Sequence, residues 1–424
     1  MTEYVNSVIR LDQVTHSPAY GSVIALKDRR LMWVFGSCRA EPIEPLYAIC
    51  SSDEGATWSD RKPLKLTTGE PLLGVMETNL VRLRSGALGL LETCAARRGE
   101  FDADQYQAIA FHKSEDEGET WSPARLIHPP EEATFYSNEC SMVLRDGRII
   151  VPVYAGIGPK PIGPNVKRMR RFGEEFGNPG RCTLYYSYAY YSDDEGETWT
   201  RSRNETMVML ERGFAGSYAM GEPQVVELND GRLLMFGRTN IGRIFKSYTP
   251  DRGHTWLEAE PTALALTPSP SPLRRLPKTG DLLVIWNQSS RWEIMIGLYR
   301  HRLSCAISKD EGETWQHHKN LESLDDTTRV EVDGFETLVS GGYRQPVDRV
   351  RYHRAPGPLR FNQPTCCFLD DKVIITYGMC VWGDKPVITQ TYGMDYDDLM
   401  RKHGLAPYDR GNKVRVLSTD WFYD

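Results

Sequence analysis

The sequence predicts an all-β protein, a six-bladed β-propeller in which every blade is a four-stranded antiparallel sheet. Two kinds of turn motif alternate along the 424 residues, five copies of one and six of the other. Short apolar runs, each the size of a single strand, lie between consecutive turns. Repeated units that cannot bury their apolar surface alone must stack on their neighbours, and a ring of four-stranded blades achieves this.

The first turn motif reads Asp-x-Gly-x-Thr-Trp. Its aspartates are Asp53, Asp116, Asp194, Asp251 and Asp310. An aspartate at the start of a turn can accept hydrogen bonds from backbone N–H groups a few residues later, and the glycine supplies the positive φ that the turn requires. The threonine and tryptophan then begin the next strand. We therefore interpret the five aspartates as structural residues and not as catalytic ones.

The second turn motif is a tight hairpin turn such as Leu-Asn-Asp-Gly-Arg, with apolar residues on both sides. The six turns begin at Leu26, Leu83, Leu144, Leu228, Leu276 and Leu369. They predict one domain of six blades, covering approximately residues 18–74, 75–134, 135–213, 214–266, 267–330 and 331–424. The last unit lacks the Asp motif, so we expect the C-terminal run KVRVLSTDWF and the N-terminus to complete that blade and close the ring.

Composition argues against several classes of function. The net charge of −6 does not favour a nucleic-acid partner, because phosphates attract basic surfaces. No apolar run reaches the length of about 18 residues that a membrane span needs. The nine cysteines show no zinc-type spacing, and no motif for a metal or an organic cofactor stands out. Residues 1–19 lack a secretory signal pattern, which predicts a cytoplasmic protein, or a secreted or periplasmic one if a leader has been removed.

Strand direction predicts which face of the ring carries the function. Because strands alternate in direction, both turn motifs share one face, and the longer, more variable loops share the other, where the central mouth would hold a ligand. The first strand of each blade should begin at this mouth, six residues before the leucine of its tight turn. These positions hold Tyr20, Glu77, Asn138, Glu222, Pro270 and Gln363, with Glu139 beside Asn138. Buried carboxylates are rare unless they are paired or functional, so Glu77, Glu139 and Glu222 are candidate catalytic residues.

The Asp-x-Gly-x-Thr-Trp motif resembles the Asp box of the sialidase superfamily, and the resemblance extends over approximately residues 18–420. Two further stretches, GEPQVVELNDGRLLMFGR and HRLSCAISKDEGETW, are similar to sialidase segments. The resemblance implies that Glu222 stands where sialidases polarise their nucleophile. It also implies that Arg238 and Arg302 bind a substrate carboxylate, which a guanidinium group can hold through two parallel hydrogen bonds.

The sequence also departs from the sialidase pattern. Ala19 stands where the family has its first substrate-binding arginine, and Gln363 where it has the nucleophilic tyrosine. An amide cannot attack an anomeric carbon, so the tyrosine-nucleophile mechanism of sialidases is not expected. A further acid candidate is Glu41, in a blade-one loop near where the resemblance places the family's acid, and Arg39 beside it is a candidate substrate-binding residue.

Two carboxylates are sufficient for glycoside hydrolysis, one as the acid at the leaving oxygen and one that activates water or attacks the sugar. Glu77 and Glu222 begin strands two blades apart and would face each other across the mouth. Polar side chains of the same ring of positions, those of Tyr20, Asn138 and Gln363, are candidates for binding the sugar. We therefore predict a sialidase-like glycoside hydrolase that removes a terminal acidic or modified sugar from a glycan.

The basic stretches 156–181 and 330–362 would place positive charge on the mouth face and attract an anionic sugar. Two other functions remain compatible with the sequence. A non-catalytic carbohydrate-binding propeller would have its mouth carboxylates scattered or salt-bridged. A polysaccharide lyase would need a base beside an arginine that neutralises the substrate carboxylate, and His16 and Tyr218 are the candidates for that base.

Overall fold

The computed structural model describes residues 2–9, 20–36, 44–93, 108–129, 134–157, 184–210, 216–218, 220–239, 242–267, 269–289, 300–323, 360–380 and 410–424. These residues form strands β1 to β26 and a C-terminal 3₁₀ helix, Thr419–Phe422. Six four-stranded antiparallel sheets form the blades of a propeller, which confirms the predicted fold. Within the described ranges there is no α-helix, and no helix there is long and apolar enough to cross a membrane.

The first three blades follow chain order. Blade one contains β2 (Ser22–Ala25), β3 (Leu31–Phe35), β4 (Tyr47–Ser51) and β5 (Lys62–Pro63). Blade two contains β6 (Val75–Arg82), β7 (Leu88–Thr93), β8 (Ile109–Ser114) and β9 (Arg125–Leu126). Blade three contains β10 (Met142–Val143), β11 (Ile149–Ile157), β12 (Leu184–Ser192) and β13 (Thr200–Arg201).

The remaining blades follow a small hairpin of β14 (Val208–Leu210) and β15 (Gly216–Tyr218). Blade four contains β16 (Gly221–Glu227), β17 (Leu233–Arg238), β18 (Arg243–Thr249) and β19 (Glu260–Ala265). Blade five contains β20 (Leu273–Arg275), β21 (Leu282–Trp286), β22 (Leu303–Ser308) and β23 (Gln316–Glu322). Blade six contains β24 (Arg360–Leu369), β25 (Lys372–Cys380), β26 (Arg410–Ser418) and β1 (Glu3–Ile9).

Blade six joins segments from the two ends of the sequence. Strand β1 pairs antiparallel with β26, from Glu3 opposite Leu417 to Ile9 opposite Asn412. It is the outermost strand of the sheet order β1-β26-β25-β24. The ring therefore closes through the N-terminal strand, as the missing sixth Asp motif predicts.

The apolar core lies between neighbouring blades. Three of the second strands, β3 (LMWVF), β7 (LGLLET) and β21 (LLVIW), are buried along their whole length. Between blades one and six, Leu31 and Trp33 pack in one cluster with Val414 and Val416. Both faces of these strands are covered by protein, which explains why the sequence shows unbroken apolar runs there and not an alternating pattern.

Each Asp motif forms the same hydrogen-bonded turn. In blade three, Asp194 Oδ1 accepts from Ser192 Oγ and from the Thr198 backbone N–H, both at 2.8 Å, and Asp194 Oδ2 accepts from Thr198 Oγ1 at 2.5 Å. Gly196 has a φ of 91°, which a side chain would disfavour. Equivalent bonds occur in the other four copies. The acceptor positions of these aspartates are used within the turn, which fits the structural interpretation.

The Asp turns also join blades to their neighbours. In blades three and five, the glutamate after the aspartate accepts from the tight turn of the preceding blade: Glu195 from Ser85 N–H at 2.7 Å, and Glu311 from Asn229 N–H at 2.8 Å. Both turn motifs therefore lie on one face of the ring, as strand direction predicts. The strand ends that hold the candidate site residues therefore lie on the opposite face.

The joint between blades five and six is made by the C-terminal segment, because blade six has no Asp turn. Lys278, in the tight turn of blade five, donates to Asp420 Oδ1 at 2.8 Å. The Tyr423 hydroxyl donates to Asp281 Oδ2 of the same turn at 2.5 Å. The 3₁₀ helix thus occupies the place that an Asp turn holds in the other blades.

Candidate functional site

Bulges in the first strands of blades two, four and six lie at the mouth end of each strand. The pairing register shifts between Val75 and Thr78, between Gly221 and Gln224, and between Asn362 and Thr365. The bulges contain Glu77, Glu222 and Gln363. Glu222 and Gln363 have positive φ values of 43° and 48°, which are uncommon for residues with side chains. Because a bulge redirects a side chain without ending the strand, three alternate blades each place one polar residue at the mouth.

Glu77 and Glu222 lie close enough to affect each other electrostatically. Glu77 is partly exposed. Burial is the largest cause that raises the pKa of Glu77 to about 7; a backbone hydrogen bond opposes the shift, and the negative charge of Glu222 adds to it. The closed ring therefore brings together two carboxylates from blades two and four, and Glu77 holds its proton to a higher pH than an exposed glutamate does.

Glu222 forms an ion pair with Arg238. Arg238 Nη1 lies 2.6 Å from Glu222 Oε2, and their side chains are 27% and 13% exposed. The pair forms because Arg238 ends β17 directly opposite Gly221, next to the bulge. Glu222 thus has a guanidinium partner, and the Arg238 side chain is partly exposed at the mouth end of the strand.

Tyr154 is a site residue that the sequence did not reveal. Its ring packs against Gly221, where a Cβ atom would approach Tyr154 Cδ2 to 3.2 Å. The ring stacks on Phe135 at 5.6 Å between centroids and meets Tyr185 edge-on at 5.4 Å. Burial raises the pKa of Tyr154 well above its ordinary value, and the charges of Glu222 and Glu77 add to this effect. Its hydroxyl group therefore remains a hydrogen-bond donor beside the carboxylates.

Glu139, a candidate catalytic residue, lies in the buried centre of the ring. Its carboxylate accepts from Cys366 N–H of blade six at 2.5 Å and from Val23 N–H of blade one at 3.4 Å. Arg274 of blade five lies 3.7 Å away and also donates to the Glu139 carbonyl. Burial raises the pKa of Glu139, and Arg274 opposes the shift. Glu139 belongs to blade three, and only a residue near the propeller axis can also contact blades one, five and six. This arrangement fits a structural role in which Glu139 holds the blades together.

The other candidates differ in their surroundings. Asn138 is fully buried and donates to the Gly21 carbonyl at 3.5 Å. Arg302 is 1% exposed, and its Nε donates to Ser323 Oγ at 3.1 Å. Gln363 is buried, and its Oε1 has no hydrogen-bond partner among the described residues. Tyr20 is partly exposed directly before blade one.

Several predicted residues lie outside the described ranges. They are Glu41, Arg39, His16, Ala19, the side chain of Tyr218 and nearly all of the two basic stretches. Among the described residues, no group of three or more His, Cys, Asp or Glu side chains could hold a metal ion. Within the part of the chain that the structure describes, the candidate site is therefore centred on Glu77, Glu222, Arg238 and Tyr154.

Comparison with known proteins places the chain in a family. Residues 97–346, more than half of the chain, match the family model of the BNR repeat-like domain. The chain belongs to the BNR repeat-like family. This confirms the resemblance to the sialidase-like superfamily. Among BNR-repeat relatives, a sialidase of Paraclostridium sordellii is 23% identical over 260 residues, which are 57% of this chain and 56% of the sialidase. The chain thus covers little more than half the length of that curated relative.

Solved structures share the propeller along nearly the whole chain. A protein of unknown function from Dyadobacter fermentans has a TM-score of 0.57 and 17% identity, covering 98% of both chains. An α-L-arabinanase of Penicillium chrysogenum, complexed with arabinobiose, has a TM-score of 0.55 and 12% identity, covering 99% of both chains. At these identities the likeness concerns the fold alone. The activity of this BNR-repeat protein must therefore be inferred from its own site residues and not from its fold.

Proposed function

We propose that this protein is a glycoside hydrolase that cleaves a terminal acidic or modified sugar from a glycan, with Glu77 and Glu222 as its paired carboxylates. The observation that carries the proposal is the contrast between these two residues. Glu77 has a pKa raised to about 7, whereas Glu222 is ion-paired with Arg238 at 2.6 Å. Two carboxyl groups whose surroundings separate their protonation states can divide the roles of acid and base or nucleophile.

The roles follow from these surroundings. Protonated Glu77 donates its proton to the glycosidic oxygen as the leaving group departs. Anionic Glu222 activates a water molecule or attacks the anomeric carbon. Tyr154 adds a hydroxyl donor beside both carboxylates, because its raised pKa keeps it protonated. No step in this scheme needs the tyrosine nucleophile whose position is held by Gln363.

Arg238 supports the preference for an acidic sugar. Its positively charged side chain is 27% exposed, and guanidinium groups suit planar carboxylates because two parallel N–H···O bonds can form. The similarity to the sialidase of P. sordellii is consistent with a preference for an acidic sugar. The arabinanase shares the fold, but its 12% sequence identity is too low to suggest that this protein shares its substrate.

The test is hydrolysis of fluorogenic 4-methylumbelliferyl glycosides, with N-acetylneuraminate as the acidic sugar and α-L-arabinofuranoside as a neutral one. We expect fluorescence release with the acidic glycoside, and its loss in Glu77→Gln and Glu222→Gln. Full activity in both variants, or no release from any glycoside, would contradict the proposal. An unsaturated product that absorbs in the ultraviolet would instead indicate a lyase.

A further inference from the structure

The Tyr136 hydroxyl lies where the hydrogen-bond ladder of blade two is interrupted. It donates to the backbone carbonyl of Glu77 at 2.5 Å. Thr93 pairs with Val75 at the start of the bulge, and regular pairing resumes at Thr78. Tyr136, which precedes the first strand of blade three, therefore holds a carbonyl group of blade two at the point where the first two strands of that blade do not bond to each other.

We propose that Tyr136 is a positioning residue that fixes the bulge and thereby the direction and burial of the Glu77 carboxyl group. This inference rests on the proposed function, in which Glu77 is the acid. A carbonyl group inside a bulge has no ladder partner, and a buried carbonyl group needs a donor. Without the Tyr136 hydroxyl, the Glu77 peptide can rotate, and the side chain attached to it moves with it. Displacements of about 1 Å in a reacting group lower turnover strongly.

Burial suits Tyr136 to this task. The residue is 4% exposed and packs in the apolar cluster between blades two and three. Burial raises its pKa well above the ordinary value, and the charges of Glu92 and Glu77 add to the effect. The hydroxyl group therefore keeps the proton that it donates to Glu77 over the whole pH range in which Glu77 titrates.

The same cluster offers a matched control in Tyr188. Its side chain is 2% exposed, and its hydroxyl group bonds to Thr134 Oγ1 at 2.7 Å. Tyr136→Phe and Tyr188→Phe each remove one buried, hydrogen-bonded hydroxyl group from the same cluster. Both variants should lose a similar amount of stability, but only Tyr136→Phe releases the bulge of Glu77.

The experiment follows the Glu77 carboxyl group directly. In protein labelled with ¹³C-glutamate, the Glu77 carboxyl resonance is assigned by its absence in Glu77→Gln, and its shift is recorded against pH. In Tyr136→Phe we expect the titration midpoint to fall by about 0.5 or more, because the released bulge lets water reach the carboxyl group. In Tyr188→Phe the midpoint should match that of the wild type.

Kinetics with the 4-methylumbelliferyl glycoside supply the second readout. We expect kcat to fall roughly tenfold in Tyr136→Phe with little change in KM, and to stay near the wild-type value in Tyr188→Phe. A Glu77 titration identical in the wild type and both variants would overturn the positioning role. Full activity of Glu77→Gln would overturn the proposed function instead, and the titration would still decide the role of Tyr136.

Discussion

Arg238 Nη1 lies 2.6 Å from Glu222 Oε2 at the mouth end of blade four. The strand register brings the two residues together, because Arg238 lies opposite Gly221, the residue before Glu222. The ion pair keeps a negative charge beside Glu77, whose pKa is raised to about 7 by burial and by that charge. The acid and the anion of the proposed site thus depend on each other. This coupling can be tested with single substitutions.

Glu222→Gln should reduce kcat by roughly 10²- to 10⁴-fold, the range associated with loss of a proton-transfer group. Its free energy of unfolding should change by only about 1 kcal/mol, because the amide keeps the shape and one acceptor oxygen. Glu227, on the same strand, pairs with Arg145 at 3.2 Å on the opposite face and gives a matched control. Glu227→Gln should leave kcat unchanged. Equal kinetic effects in both variants would remove Glu222 from the mechanism.

Glu77→Gln should become more stable than the wild type as the pH rises. The folded-state pKa is about 7, above the ordinary value of 4.5, so the fold disfavours the charged form. Below pH about 4.5 the group is protonated in both states, and between that pH and about 7 the wild type progressively loses stability. Urea unfolding should show a relative gain on the order of 2 kcal/mol for the variant at pH 8 and little gain at pH 4.5.

The same raised pKa predicts the pH dependence of the wild-type reaction. If Glu77 is the acid, kcat/KM should fall as the pH rises through about 7, because the proton is lost. A pH–rate profile with the 4-methylumbelliferyl glycoside measures this limb. A rate that keeps rising well beyond pH 8 would show that another group donates the proton.

Glu139→Gln should mainly destabilise the fold. An amide offers one acceptor oxygen, so its NH₂ group would face either Val23 N–H or Cys366 N–H, and Arg274 would lose its charged partner. Breaking such a buried pair typically costs about 3 kcal/mol or more. Chemical unfolding measures the loss, and kcat of the folded fraction should change only a few-fold. Unchanged stability with abolished turnover would return Glu139 to the catalytic candidates.

Asp194→Ala should lower the free energy of unfolding by about 1–3 kcal/mol, because three hydrogen bonds within the turn are lost. The neighbouring Asp193 is the control, because its side chain is 57% exposed and accepts two hydrogen bonds from Arg148, at 2.7 and 2.6 Å, and none within the turn. Asp193→Ala should cost about 1 kcal/mol or less. Urea midpoints compare the two variants, and glycoside hydrolysis at 25 °C should be similar in both.

The turn chemistry explains why the fold could be predicted from the sequence. An Asp turn and a tight turn each need particular residues at fixed positions, so five Asp motifs and six leucine turns define six blades. Counting six residues back from Leu83, Leu228 and Leu369 reaches the three bulges because these first strands have similar lengths. In blade three the count reaches Asn138, whereas the residue with positive φ is Glu139.

The remainder of the site depends on contacts between distant segments. Tyr154 stands in an apolar run, where a buried aromatic side chain is the ordinary expectation, and Tyr136 stands between Phe135 and Ser137. Nothing local in the sequence indicates which residues either side chain contacts. The bond between Glu139 and Cys366 joins residues 227 positions apart and exists only in the closed ring. Such contacts follow from ring geometry, which the spacing of turns does not specify.

The pairing of β1 with β26 has a mechanical consequence. Glu3, at the start of β1, lies opposite Leu417, near the end of β26, so both chain directions leave the ladder at the same end. Force that pulls these two ends apart would break the hydrogen bonds of the ladder one after another, starting at the Glu3–Leu417 end. It would not shear all of them at once. The bonds from Lys278 to Asp420 and from Tyr423 to Asp281 would bear the load on the C-terminal side first. Under tension, therefore, the propeller should give way at blade six before any other blade.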